Sequence, residues 1–556
     1  MAAGGVGVVA NEAAGGAVGA ACDAVGATAV AEAGAGARRQ AADADAATAG
    51  ADGDRRWGIY VHVPFCLSRC RYCDFNTYSG MGRHIPAYFS ALEREIGGFF
   101  GAFESGAAAA EGLAGPAGLV AGPPVVDTVF FGGGTPSSVG GDCIKRALEP
   151  ISRYRDSTAS GPWECTLEAN PGTVGRRALA EYFSMGVNRL SLGLQSTHEK
   201  HLAMLGRRHS FADFARCAED ARAAGFDNIS ADLMFGLPGQ TAGEWARTLD
   251  AVLALGVVRH LSCYSLSLED GTALKADVDG GRLPAPDEDA DREMYHYAIG
   301  RLKSAGMGHY EISNFAEPGY ECRHNLKYWK GGAYRGFGAG AHSFFGSCRY
   351  SNAVTIPEYI KKMGGAGSGA DGLCGASAGT VADSADDGAG AGVAAGLLGA
   401  GVDAGNANSA GAAAGLHGAD AGDADAVAGL HGAGAGGVRA SAADSAGRKL
   451  AGPACAEAIP IGPEEREKEY IILRLRLAEG ISSRDFRERF GRGFEQKYAA
   501  PLRKLASEGL LQIKTRRSAQ DSAIGFRKPA ISAQDSAVSL TPKGLDLANR
   551  VFVEFI

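Results

Sequence analysis

The sequence predicts an α/β fold built on a parallel sheet, followed by a small domain of winged-helix type and interrupted by long alanine- and glycine-rich stretches. Three observations carry this. Short apolar runs recur at 59–63, 125–131, 164–169, 188–194, 229–235 and 260–268, with helical patterns such as 85–100, 176–185 and 212–224 between them. Near the C-terminus, helical patterns at 464–477 and 494–508 precede a strand-like run at 510–513. Residues 1–55 and 364–455 contain no aromatic residue, and alanine-glycine chain gains too little on burial to offset its backbone entropy, so both are expected to be disordered.

The elements follow in order. The first strand, in GIYVHVPFCLSRCRYCDFNTY, is ended by Pro64, which puts Cys66, Cys70 and Cys73 on a loop at a strand's carboxyl end. That is the functional end of parallel sheets and barrels. In 85–100 the helical spacing of Tyr88, Leu92, Ile96 and Phe99 predicts a helix packed beside this strand, and 102–124 reads as a surface insertion. The second strand runs into FFGGGTPS, whose glycines leave bare backbone groups for a ligand. Later strands each end near one polar residue: Glu168 in TLEANPG, Gln195 in RLSLGLQS and Asp232 in ISADLMFGLP, with Arg207 following in LGRRHS. Taken singly, Gln195 could cap a helix, Arg207 could be solvated and Asp232 could bond backbone amides. Spacing alone leaves a partial barrel and an open doubly wound sheet equally possible.

Composition narrows the class. A net charge of −8 spread over 556 residues argues against a nucleic-acid or anionic-membrane partner. Twelve cysteines are too sparse for a disulfide scaffold, and a cytoplasmic location is expected. No positively charged start or compact apolar stretch marks a signal peptide, and no run of about eighteen strongly apolar residues marks a membrane span. The domain reading is 1–55 extension, 56–300 main sheet, 301–363 its C-terminal extension, 364–455 low-complexity insertion and 456–556 small domain. The repeated GLHGA, with His417 and His431, is read as inert, and the duplicated SAQDSA as a lengthened wing. The winged-helix unit is expected to pack or cover a substrate.

Three thiolates spaced C-x3-C-x2-C can grip three irons of a [4Fe–4S] cube and leave the fourth open. A zinc knuckle or a disulfide framework is the alternative, but no second C-x2-C hook accompanies the first. The stretch Y-x-H-x-P-F-C-x3-C-x-Y-C resembles the radical S-adenosylmethionine (SAM) superfamily, in the branch of oxygen-independent coproporphyrinogen III oxidase and the HemW-type haem chaperones. The resemblance implies a partial (β/α)6 barrel, SAM on the open iron and cleavage of its sulfonium to a 5′-deoxyadenosyl radical. It further implies that Gly133, Gly134 and Thr135 bind the methionyl amino group. Glu168, Gln195, Arg207 and Asp232 would hold the rest of SAM, with Tyr60 and Tyr72 bracketing cluster and adenine.

Within that branch two departures favour the chaperones. Phe75 stands where the oxidase carries a fourth motif cysteine, which puts oxidase activity in doubt, and the featureless 1–55 replaces the oxidase's substrate-binding N-terminal segment. RHNLKYW, Arg323 to Trp329, matches the chaperones' HNxxYW signature, which implies haem as cargo and a haem-acceptor protein as partner, membrane proteins included. His324 is the candidate haem ligand and Cys322 the alternative, while an ordinary core segment is what the residues alone suggest. A one-electron donor such as flavodoxin or ferredoxin and a homodimer complete the expected partners. Decarboxylation of coproporphyrinogen III is the alternative function, and a radical SAM reaction on an unrelated substrate stays open.

Overall fold

The computed structural model of the chain describes residues 56–105, 124–156, 163–364, 452–516 and 535–556. Residues 1–55, nearly all of the two expected insertions, the first SAQDSA repeat and the first half of the second lie outside the described residues.

Six strands form the core sheet: β1 (Arg56–Val63), β2 (Val125–Gly133), β3 (Glu164–Ala169), β4 (Arg189–Gln195), β5 (Asn228–Phe235) and β6 (His260–Ser265). Each pairs in parallel with the next, in chain order. An order without reversal means that every crossover turns the same way, so this is the barrel-type winding and not the doubly wound one. Helices α1 (Ile85–Glu104), α2 (Gly141–Ser152), α3 (Arg176–Ser184), α4 (Glu199–Leu205), α5 (Phe211–Ala224) and α6 (Ala242–Ala254) lie between the strands. The local chemistry agrees. Ser210 and Asp213 form a reciprocal cap at the start of α5, and Gly225, at φ +112, ends it.

Alternation along the strands divides the molecule. Ile59, Val61, Val63, Leu167, Leu190, Leu192, Leu194 and Leu233 face outward into the main core, whereas Tyr60 and Phe130 face the lumen in a separate small cluster. After α7 (Ala273–Asp279) and α8 (Glu288–Ser304) the chain adds edges to both sides of the sheet. β7 (Gly308–His309) and β8 (Asn314–Ala316) extend β6, while β9 (Tyr334–Phe337), β10 (His342–Phe345), β11 (Cys348–Asn352) and β12 (Cys455–Pro460) extend β1. Between them α9 (Arg323–Trp329) closes the lumen from the strands' N-terminal end, and α10 (Ile356–Lys362) packs on α1.

Two expected boundaries shift. Helix α1 continues past 102, because Phe99 and Phe103 extend its apolar stripe with ring centroids 5.4 Å apart. The small domain starts later than 456: β12 pairs antiparallel with β11, Tyr350 opposite Ala458, and so completes the main sheet's edge. The C-terminal unit then runs α11 (Pro463–Leu475), β13 (Ile481–Ser482), α12 (Ser483–Phe490), α13 (Phe494–Lys497), α14 (Ala499–Ser507), β14 (Leu511–Arg516) and β15 (Asp535–Leu540). This is the helix, strand, helices, hairpin order of a winged helix, with its own core around Ile471, Phe486, Phe494, Leu505 and Val538. Among the described residues no helix is long and apolar enough to cross a membrane.

Candidate functional site at the carboxyl ends of the strands

Cys66, Cys70 and Cys73 occupy the loop after β1, all half-buried and none in a disulfide. Phe65 and Cys66 pair with Tyr78 and Ser79, which ties the loop into a closed turn. Each thiol has its own neighbour: Cys66 Sγ lies 3.6 Å from Thr135 Oγ1, Cys73 Sγ 3.8 Å from Thr77 Oγ1, and Arg207 Nη1 donates to Cys70 Sγ at 3.4 Å. Among the described residues no three His, Cys, Asp or Glu side chains are gathered around a position for one metal ion. Burial pushes the Cys66 thiol up and the Cys73 thiol to about 11, so thiolates here call for a compensating positive charge.

The glycine turn stands against this loop. Gly134 N donates to Val63 O at 2.9 Å and Thr135 N to Phe65 O at 2.8 Å, and a Cβ on Gly134 would meet Phe65 O at 2.7 Å. Only a side-chain-free residue lets the two segments lie this close. Asn170 joins turn and arginine, its Nδ2 donating to Thr135 Oγ1 at 2.9 Å and its Oδ1 accepting from Arg207 Nη2 at 2.5 Å. Arg207 also donates to Gly193 O, where a Cβ would stand 2.6 Å from its guanidinium. The arginine's buried Nε keeps no partner. A side-chain-free turn, three thiols on one loop and a cation with spare donor capacity fit a thiolate-held cluster with an anionic ligand beside it.

Two carboxyls lie further along the strand ends. Glu168 Oε2 accepts from Gly133 N at 3.2 Å, and burial, then the nearby Asp232, raises its pKa to about 8. Asp232 accepts from Ser191 Oγ at 3.0 and 3.1 Å and is itself raised by burial. A carboxyl in this state gains by meeting an ammonium. Gln195 is buried at the end of β4 with φ +68, a left-handed conformation that a non-glycine side chain adopts at a cost, as at functional turns. Tyr60 OH donates to His62 Nδ1 at 3.0 Å, and His62 Nε2 donates to Asn76 O on the cysteine loop at 3.0 Å. Tyr72 packs beside Leu205 and Met234. The sequence reading did not single out His62, Asn76, Asn170 or Ser191. Strand alternation would have found His62, two positions beyond Tyr60, and Ser191, two beyond the inward Arg189.

His324 does not join this site. It sits on α9 at the opposite end of the lumen, 1% exposed, with Nδ1 3.0 Å from Thr128 Oγ1 and Nε2 2.8 Å from Tyr328 OH. Its ring stacks on Phe130 at 5.3 Å, and burial, aided by Lys327 and Arg189, lowers its pKa to about 3. Both nitrogens are hydrogen-bonded within the chain, so His324 would have to give up Thr128 or Tyr328 to ligate iron. Cys322 is fully buried beside Glu164, its thiol pushed up to about 12 by burial. Trp329 faces away from the lumen toward Leu473 and Leu477 of the C-terminal unit.

A singly wound six-strand half-barrel with three cysteines after its first strand and a glycine turn after its second is the architecture of a radical SAM protein. Residues 60–252 match the radical SAM superfamily and residues 461–517 the HemN C-terminal domain. The chain is 40% identical over 314 residues to the protein named heme chaperone HemW of Mycobacterium tuberculosis, covering 56% of this chain and 75% of that one. It is 37% identical over 301 residues to heme chaperone HemW of Bacillus subtilis, covering 54% and 74%. The fold is shared with coproporphyrinogen III oxidase (HemN) from Escherichia coli, at TM-score 0.59 and 18% identity over 90% of each chain. The chain belongs to the HemN-like radical SAM family, in its HemW branch.

Proposed function

We propose that this chain is a haem chaperone that carries a [4Fe–4S] cluster on Cys66, Cys70 and Cys73 with exchangeable SAM beside it, and delivers haem to an acceptor protein. The observation that carries the reading is the Cys66–Phe75 segment in a chain so similar to named haem chaperones: three thiols, then a phenyl ring that cannot ligate iron. When bound, a cluster with one open iron supplies one-electron chemistry at the SAM sulfonium. The chain's own residues bind and orient. Arg207 offsets charge at Cys70 and presents its guanidinium to a carboxylate. Glu168, protonated while alone, gives up its proton to become the counter-ion of an ammonium. Gly133, Gly134 and Thr135 offer backbone to the amino acid end, Gln195 and Asp232 serve the ribose and methionyl ends, and Tyr60 and Tyr72 bracket cluster and adenine. Haem is cargo, with His324 of RHNLKYW as its candidate ligand on exchange of its hydrogen bond to Tyr328 for iron.

The test is an absorption titration with haem on protein reconstituted anaerobically with iron and sulfide, with coproporphyrinogen III, SAM and reductant assayed in parallel. Retained haem without protoporphyrinogen is expected. Formation of protoporphyrinogen would replace the chaperone with the oxidase, and absence of both would sink the two readings together. Cys66→Ala, treated likewise, is expected to lose its cluster absorbance; an unchanged iron content would remove the cluster assignment.

A further inference from the structure

Beneath the strand ends the lumen is aromatic on one side, where Tyr60 and Phe130 stand in register with Thr166, and polar on the other. Inward positions of β3 to β6 carry Thr166, Ser191, Ser230 and Ser262, small hydroxyl residues where closed barrels place Val, Ile and Leu. Thr166, Arg189 and Asn228 are direct partners across β3, β4 and β5 and form one inward rung, at 0, 2 and 4% exposure. Each keeps one buried polar atom without a protein partner: Thr166 Oγ1, Arg189 Nε and Asn228 Oδ1. Three orphaned groups side by side on neighbouring strands are a pattern that native interiors fill.

We infer that this polar side of the lumen binds a short file of ordered water molecules, which joins the Thr166–Arg189–Asn228 rung to the carboxyls of Asp232 and Glu168 above it. The donor set selects water over an anion. One hydroxyl, one N–H donor and one carbonyl acceptor suit a molecule that both donates and accepts. An anion drawn to Arg189 would meet Glu164 below and Asp232 above, both close enough to act on that arginine. The chamber's floor is α9, whose Arg323 and His324 amides donate to Glu164 at 2.9 and 3.0 Å, together with the His260–Tyr310 pair at 2.8 Å. Its roof is Ser191, which donates to both oxygens of Asp232. Ser191 then stands between these waters and the Asp232 carboxyl, and the inference stands whether or not SAM is the ligand above.

Thr166→Val in the full-length chain removes one hydroxyl at nearly constant shape. If water is bound there, it loses a partner, and the Tm is expected to fall by roughly 2–4 °C. A dry chamber would instead gain from shedding an unpartnered hydroxyl, so an unchanged or raised Tm overturns the proposal. Should the variant not fold, a high-resolution crystal structure of the unmutated chain decides. Water density within hydrogen-bond reach of Thr166 Oγ1, Arg189 Nε or Asn228 Oδ1 is expected, and an empty lumen beside clear surface waters sinks the idea.

Discussion

His324 is held neutral by burial, with a pKa near 3 against 6.5 for the free side chain. A depressed base contributes stability that is present above about pH 6.5 and lost as the pH falls toward 3, because the unfolded chain takes up the proton that the folded chain refuses. His324→Gln, which cannot titrate, is expected to be less stable at pH 7 by about 1–3 kcal/mol for its broken buried hydrogen bonds. Its deficit should narrow by pH 4.5, and parallel urea midpoints at the two pH values would refute this. Glu168 runs the other way. Its folded pKa is raised from 4.5 to about 8, so its contribution is present below about pH 4.5 and lost as the pH rises through 8. Between pH 5 and 8, Glu168→Gln should therefore lose less stability than the parent chain, measured as the change in Tm over that interval. Gly133 N can still donate to the amide oxygen, so a general loss of stability at both pH values would point to the hydrogen bond and not to the charge.

At the scale of elements, the strands were legible because each is a run of outward apolar residues ending in a turn, and the site was legible because its polar residues sit where those runs stop. The antiparallel edge was not. β9 to β11 are four- and five-residue strands set among glycines in YRGFGAGAHSFFGSCRYSN, and β12 lies beyond a long low-complexity stretch, so no local pattern announces their pairing. Helix α12, SRDFRERF, is short and mostly charged, and buries only Ser483 and Phe486. The RHNLKYW helix was legible as a motif but not in its packing, since His324 and Trp329 point to different partners. His324 plugs the lumen, while Trp329 lies under the Arg476 guanidinium at 4.7 Å, among Leu473 and Leu477. Trp329→Ala should cost about 3–5 kcal/mol where its ring is lost, and should uncouple the C-terminal unit from the barrel. Calorimetry is expected to show one unfolding transition splitting into two; a single shifted transition would argue that the side-chain contacts Arg349–Glu469 and His296–Asp546 suffice.

For the whole molecule, the long alanine-glycine stretch interrupts a fold whose two flanks pair with each other. Both of its anchors are fixed: Ala353 N donates to Ala454 O at 2.9 Å, Lys362 Nζ reaches Cys455 O at 3.3 Å, and Met363 and Ala454 belong to the same core. The chain therefore returns to where it left, and whatever lies between must only close a loop. Loop-closure entropy rises by about 0.6 kcal/mol per doubling of length, so replacing residues 365–451 with roughly eight Gly/Ser residues, more than three halvings, should stabilise the fold by about 2 kcal/mol. Cluster loading and haem retention should be unchanged, because β12 keeps its pairing with β11 and the contacts of the cysteine loop's Asn76 with Ala339 and Val354 involve no residue that is replaced. Loss of haem retention with the cluster intact would show instead that the stretch itself takes part in holding the cargo, and would move the haem site off the barrel.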